Sequence, residues 1–252
     1  MQSVQREVIY GRHPAPGVSS CSTCAFYEPR LCAGVKKQAT AEVQSDTQPL
    51  DALVRTIPAR RTICHSSEWS EFVTIICRGW ASSSVTLPDG RRQILSFLLP
   101  GDIISTLNLF HPVCGCLIES ITEVTYRNFK RSEVKIALFE NSVLRESAVR
   151  VCADDKVQAD QLTVDLGRRT ANERIARAIL GLMDRLVKRG MAQDHTIEFP
   201  LRQHHIADAT GLTPVHVSKV LSEFRRSGLI EINDRLLTVL DHTSFRRVAA
   251  LT

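Results

Sequence analysis

The sequence predicts an α+β fold in which antiparallel strands form a sandwich or barrel, a long helix follows, and a winged helix-turn-helix ends the chain. Three observations carry this. Between about Leu50 and Phe129, short apolar runs such as Phe72–Ile76 and Gln93–Leu99 alternate with turn signals at Arg78-Gly79, Pro88-Asp89-Gly90 and Pro100-Gly101-Asp102. Short strands with a turn every ~8 to 12 residues suit an antiparallel sandwich or barrel. After Val134, glycine and proline vanish for more than thirty residues. Near the C-terminus, two helical patterns flank Thr210-Gly211.

A chain of 252 residues is long enough for two cores. Its 43% hydrophobic and 23% charged content is that of a soluble globular protein. No apolar run approaches the roughly 20 residues of a membrane span, so no membrane association is expected. Met1 to Pro16 contain no apolar stretch of signal-peptide length, and a cytoplasmic protein is expected. In a reducing compartment, eight cysteines point to metal binding, redox sensing or plain burial rather than to a disulfide framework. The net charge of +5 is unevenly placed: Met1 to Gly167 hold 18 Lys and Arg against 18 Asp and Glu, whereas Arg168 to Thr252 hold 14 against 9. A basic last third fits a segment that touches phosphates, and equally a basic solvated face.

Residues 1–45 are rich in Pro, Ser, Gln and Cys without periodicity and read as an irregular arm. In the long helix, Leu144, Ala148, Val151, Ala159, Leu162 and Leu166 step by threes and fours, with a gap across Asp155. Such a seam packs against a second copy of the chain or back on its own barrel. A further helix starts at Thr170-Ala171-Asn172-Glu173, where the threonine caps and the glutamate bonds back. Its apolar face is Ile175, Ile179, Leu182, Met183 and Leu186, and it ends near Lys188-Arg189-Gly190.

The stretch from Leu201 to Ile230 is the most informative. A short helix over about Gln203 to Ala209 must stop at Thr210-Gly211, because glycine supplies the left-handed backbone of a sharp interhelical turn. Thr213 is a good N-cap and Pro214 suits the first helical position of the next helix. Val217, Val220, Leu221 and Phe224 form its inward face, docking on Ile206, Ala207 and Leu212. Val215, His216, Ser218, Lys219, Ser222, Arg225 and Arg226 lie opposite. Gly228 ends the helix, and Leu229 to Leu240 alternate about an Asn-Asp turn, which implies a two-stranded wing. On a general docking geometry, Pro214, Val215 and Ser218 are candidates for base edges of double-stranded DNA. Thr213, His216, Lys219 and Arg202 are candidates for phosphates. Each also fits ordinary solvated surface.

The order of parts, with Thr170-Ala171-Asn172-Glu173-Arg174-Ile175-Ala176 before the winged segment, resembles the Crp/Fnr superfamily of bacterial transcription regulators. The resemblance covers about residues 50 to 250. It implies a cyclic-nucleotide-binding-like antiparallel β-roll as sensor (46–133), a long dimerisation helix (134–167), a C-terminal winged helix-turn-helix (168–252) behind the arm (1–45), a homodimer, and contact with RNA polymerase. Relatives that bind cyclic AMP hold its phosphate with an Arg-Ser pair after a Gly-Glu. The matching stretch, from Ser105 through Phe110 to Cys114–Leu117, lacks both the glutamate and the arginine. A phosphate without a cationic clamp is poorly held, so cyclic AMP is not expected. The family's recognition helix carries a glutamate where this chain has Val215, and Ser218-Lys219 follow where a Ser or Gly precedes Arg.

Cys21, Cys24 and Cys32 form a C-x2-C-x7-C pattern similar to the amino-terminal motif of the Fnr branch, which implies an oxygen-labile 4Fe-4S cluster. The barrel position that supplies that branch's fourth cysteine falls near Thr125 to Asn128, where there is none. Cys116 serves instead as the expected fourth ligand, with Cys114 the alternative; a zinc or thiol-redox site, or no ligand, remain open for this motif. Cys64, Cys77 and Cys152 read as small buried residues. An enzyme is not expected, because no nucleophile elbow, phosphate loop or His-Glu-x-x-His helix occurs. A sensor that acts only through protein contacts, with a vestigial winged helix, is the other rival.

Overall fold

A computed structural model of the chain describes residues 54–65, 71–111 and 115–250. Its first half contains β1 (Val54–Ile57), β2 (Thr62–Cys64), β3 (Phe72–Arg78), β4 (Ala81–Thr86), β5 (Arg92–Leu98), β6 (Leu117–Ser120) and β7 (Val124–Lys130). They pair antiparallel in two sheets, ordered β1-β7-β3 and β2-β6-β4-β5. Strand alternation explains the roll. Ile76, Val124 and Tyr126 of one sheet meet Ala81, Leu98 and Ile118 of the other in the interior. The turn between β3 and β4 requires glycine: Gly79 has φ +83°, and a Cβ there would stand 2.0 Å from the Glu123 carbonyl oxygen.

The single helix expected over 134–167 is two helices, α1 (Arg131–Glu140) and α2 (Ser142–Arg168). Asn141 breaks them: its backbone is extended (φ −113°, ψ 106°) and its side chain accepts from Leu144 N at 3.0 Å, the cap that asparagine favours. The apolar seam also splits. Leu144 and Ala148 bury with α1's Val134, Ala137 and Leu138 against Val73, Ile75 and Phe129 of the chain's own roll. Residues 153–161 of α2 are exposed. Leu166 lies against the turn at Gly211.

The helix α3 (Ala171–Val187) begins with the expected capping box: Glu173 Oε2 accepts from Thr170 N at 2.7 Å and Thr170 Oγ1 accepts from Glu173 N at 3.4 Å. Ile175, Ile179, Leu182, Met183 and Leu186 are all buried. After it come β8 (Ala192–Gln193), β9 (Thr196–Glu198), α4 (Gln203–Thr210), α5 (Pro214–Arg226), β10 (Ile230–Asn233), β11 (Leu236–Val239) and α6 (His242–Val248). The wing is a four-stranded sheet, β10-β11-β9-β8, rather than two strands. Its two hairpin turns, Asp194-His195 and Asp234-Arg235, both hold two residues at positive φ, as a tight hairpin matched to strand twist requires.

The roll and the winged unit share a core. Trp80, Ile94, Phe97 and Leu99 from the roll cluster with Ile175, Leu180 and Ile206. Polar contacts ring this junction. Arg185 donates to Phe97 O at 2.9 Å and Arg189 to Pro100 O at 2.7 Å. Both guanidinium groups also reach the Asp102 carboxylate, which accepts from Leu99 N at 2.7 Å. Arg92 bridges Glu119 at 2.7 Å and Asp208 at 2.8 Å, tying two roll strands to α4.

Candidate nucleic-acid interface

The recognition segment is built from local signals. Thr210 Oγ1 donates to Ile206 O at 2.7 Å, and Gly211 closes α4 with φ +66°. Thr213 Oγ1 accepts from His216 N at 3.2 Å, and Pro214 occupies the first turn of α5. Val217, Val220, Leu221 and Phe224 are buried, and the Phe224 ring meets Phe245 of α6 edge-on at 5.3 Å. With that face anchored, Thr213, Pro214, Val215, His216 and Lys219 are exposed and Ser218 is half-buried. These six therefore form one outward strip over the first two turns of α5.

Arg202, exposed at the N-cap of α4, is brought to the same place by the fold. It lines a hollow of about 500 Å³ together with Pro214, Arg225 and Ile232 of the wing. Arg225 is a cation that the sequence puts on the outward face without assigning it a contact; its place beside Arg202 depends on how the wing and α4 pack. His204 and His205 do not add to the positive charge. Burial, followed by the positive charge of His204, Arg92, Arg202 and Arg60, pushes His205 down to about 4. Its Nδ1 accepts from Arg202 N at 3.1 Å, which places the proton of the neutral ring on Nε2. His204 is lowered too, first by burial, against the opposing pull of Asp208.

Around the 3-10 turn Thr106–Leu109, where the resemblance puts a phosphate clamp, the long helix places a carboxylate. Thr106 Oγ1 donates to Asp155 Oδ2 at 2.8 Å, and partial desolvation of this otherwise exposed side chain holds the Asp155 carboxyl above its ordinary range. Of the expected cluster ligands, Cys21, Cys24 and Cys32 lie outside the described residues, as does Cys114. Cys116 is half-buried and packs with Cys64 against the interior core of the roll. Cys152 packs on the outer core, and burial, then Asp155, raises its thiol, the behaviour of a structural cysteine. Among the described residues no group of three or more His, Cys, Asp and Glu is assembled around a common point. No helix among them is long and apolar enough to cross a membrane.

Residues 54–141 match the cyclic nucleotide-binding domain model, and residues 173–248 match the Crp-like helix-turn-helix domain model. The nitrogen fixation regulation protein FixK of Bradyrhizobium diazoefficiens is 28% identical over 236 residues, covering 93% of this chain and 96% of FixK. The transcriptional activatory protein AadR of Rhodopseudomonas palustris is 31% identical over 196 residues, 76% of this chain and 79% of AadR. The solved structure of FixK2 from Bradyrhizobium japonicum superposes with a TM-score of 0.70 at 27% identity, over 79% of this chain and 98% of that one. These relatives are regulators rather than enzymes. A nucleotide-domain-like roll, a long helix and a winged helix-turn-helix, joined in that order and matched along their length, place this chain in the Crp/Fnr family of DNA-binding transcription regulators.

Proposed function

We propose that the chain works as a cytoplasmic homodimer that binds a two-part operator, with Pro214, Val215 and Ser218 facing base edges. Thr213, His216, Lys219 and Arg202 face phosphates, and Arg225 joins them. The observation that carries this reading is the outward strip of α5, fixed by the Thr213 cap and the buried Val217–Phe224 face. The exposed middle of α2, residues 153–161, is the surface offered to the second copy. The described parts divide the labour as sensor roll, long dimerisation helix and DNA-reading unit, and promoter activity proceeds through contact with RNA polymerase. A dimer presents its two recognition helices about one turn of DNA apart, roughly 34 Å, so a signal that shifts α2 changes affinity through that spacing.

Cyclic AMP is not the expected signal: the Asp155 carboxyl, bonded at the Thr106 turn, stands where a phosphate would need a cation. Redox state is the finer reading, through a 4Fe-4S cluster on Cys21, Cys24, Cys32 and Cys116. What supports it is the C-x2-C-x7-C spacing and a half-buried Cys116 in an apolar wall. Such a cluster supplies oxygen-labile chemistry, and Cys116 would tie the arm to the roll. Colourless protein without iron or sulfide after anaerobic purification would refute it.

The DNA reading is tested by duplex retention against salt. Specific retention should fall with a log–log slope of about −0.9 per neutralised phosphate. The double variant Ser218→Ala with Lys219→Ala should lose operator preference. Retention that ignores salt, or promoter occupancy untouched by the double variant, contradicts the reading.

A further inference from the structure

Val215 is 80% exposed, more than any other large apolar side chain among the described residues of the winged unit. It stands in the first turn of α5 between Pro214, which fixes the backbone before it, and His216, whose N–H is held by Thr213. A β-branched side chain on a helix has one strongly preferred χ1 rotamer. Val215 is thus a rigid pair of methyl groups on a preorganised backbone, with the polar His216, Ser218 and Lys219 around it.

Base edges in the major groove differ in what they offer such a group. Guanine presents two acceptors, adenine an acceptor and an amino donor, and cytosine an amino donor. Of the four, thymine alone adds a methyl group, at C5. An aliphatic side chain against a polar edge strips water from a donor or acceptor and returns no hydrogen bond, which is unfavourable. Against the thymine methyl it buries apolar surface on both sides.

We infer that Val215 is a specificity-determining residue that selects a thymine in each half-site through its C5-methyl group. The inference rests on the DNA-binding reading above and adds the base and the atom. A carboxylate at this position would accept from a cytosine amino group, so valine replaces recognition by hydrogen bond with recognition by shape and dehydration.

The test uses the full chain. Duplexes are selected from a random pool, and each thymine of the selected operator is then replaced singly by deoxyuridine, which removes only the methyl group. One thymine per half-site should be sensitive. Its loss should weaken binding about fourfold, and about fifteenfold when both half-sites are changed, the worth of one buried carbon per contact. In Val215→Ala the sensitivity at that position alone should disappear, while other thymines behave as in wild type. The exposure of Val215 means that this truncation leaves the helix packing intact, which far-UV circular dichroism verifies. Val215→Glu should move the selected pair at that position to cytosine. An enriched operator without a methyl-sensitive position coupled to residue 215 overturns the inference and leaves the DNA reading standing. A pool that yields no enriched duplex overturns both.

Discussion

Asn in place of Asp102 should unsettle the junction between roll and winged unit more than any surface change of similar size. The carboxylate serves three donors: Leu99 N at 2.7 Å, Arg185 and Arg189. The side chains of Arg185, Arg189 and Asp102 are 22%, 16% and 16% exposed, so solvent replaces little of what is lost. The amide keeps one acceptor but removes the charge that both guanidinium groups face. Hydrogen bonds to charged groups are worth about 1.5 to 3 kcal/mol each, and partial exposure lowers the sum for two to about 3 kcal/mol. In a unit of this size, 1 kcal/mol moves the melting midpoint by roughly 2 to 4 °C, so a drop of roughly 6 to 12 °C is expected. Thermal unfolding followed by circular dichroism at neutral pH measures it. Arg189→Met alone and combined with Asp102→Asn completes a double-mutant cycle, with an expected coupling of about 1 kcal/mol or more. An Asp102→Asn midpoint within about 2 °C of wild type, or strictly additive losses, would refute the argument.

Protonation of His205 gives a second expectation. The unfolded ring titrates near its ordinary value of about 6.5, whereas burial and neighbouring cations hold the folded ring down to about 4. The unfolded chain therefore takes the proton first, so this contribution to stability is complete above about pH 6.5 and drains as pH falls toward 4. Water reaches part of the ring, which limits the loss to about 1 to 2 kcal/mol. Denaturant titrations of wild type and His205→Gln should show the variant's slope between pH 6.5 and 4 reduced, and parallel curves would contradict the assignment. Gly211→Ala meets both a left-handed backbone and Leu166 Cδ2 at 3.2 Å. A loss of about 1 to 2 kcal/mol is expected in the same titration, and an unchanged midpoint would show that the turn relaxes freely. Arg225→Ala should weaken operator and random duplexes alike and lower the salt slope by about 1 per contact. Loss confined to the operator would instead make Arg225 a base reader.

The recognition helix was legible because its signals are local. Gly211, Thr213 and Pro214 set its start, and the 3.6-residue period of Val217, Val220, Leu221 and Phe224 sets its outward face. The break at Asn141 is equally local, but a long apolar period masks one capping residue unless its own backbone preference is weighed. The outer half of the wing leaves little mark on the sequence because β8 and β9 are two and three residues long and turn on Asp-His, an uncommon hairpin pair. The placement of Arg202 beside Pro214 and Arg225, and the junction around Asp102, join residues far apart in the chain. Periodicity carries no information about such meetings, which arise when Trp80, Ile94 and Phe97 find a second apolar surface.

Leu166 lies in the last turn of the long helix with its side chain against the elbow at Gly211. A rod that bears on an elbow is placed to act as a lever: a rotation about its axis reaches the joint between α4 and α5 through that one contact. In the dimer proposed above, whatever turns that rod would steer both reading heads at once.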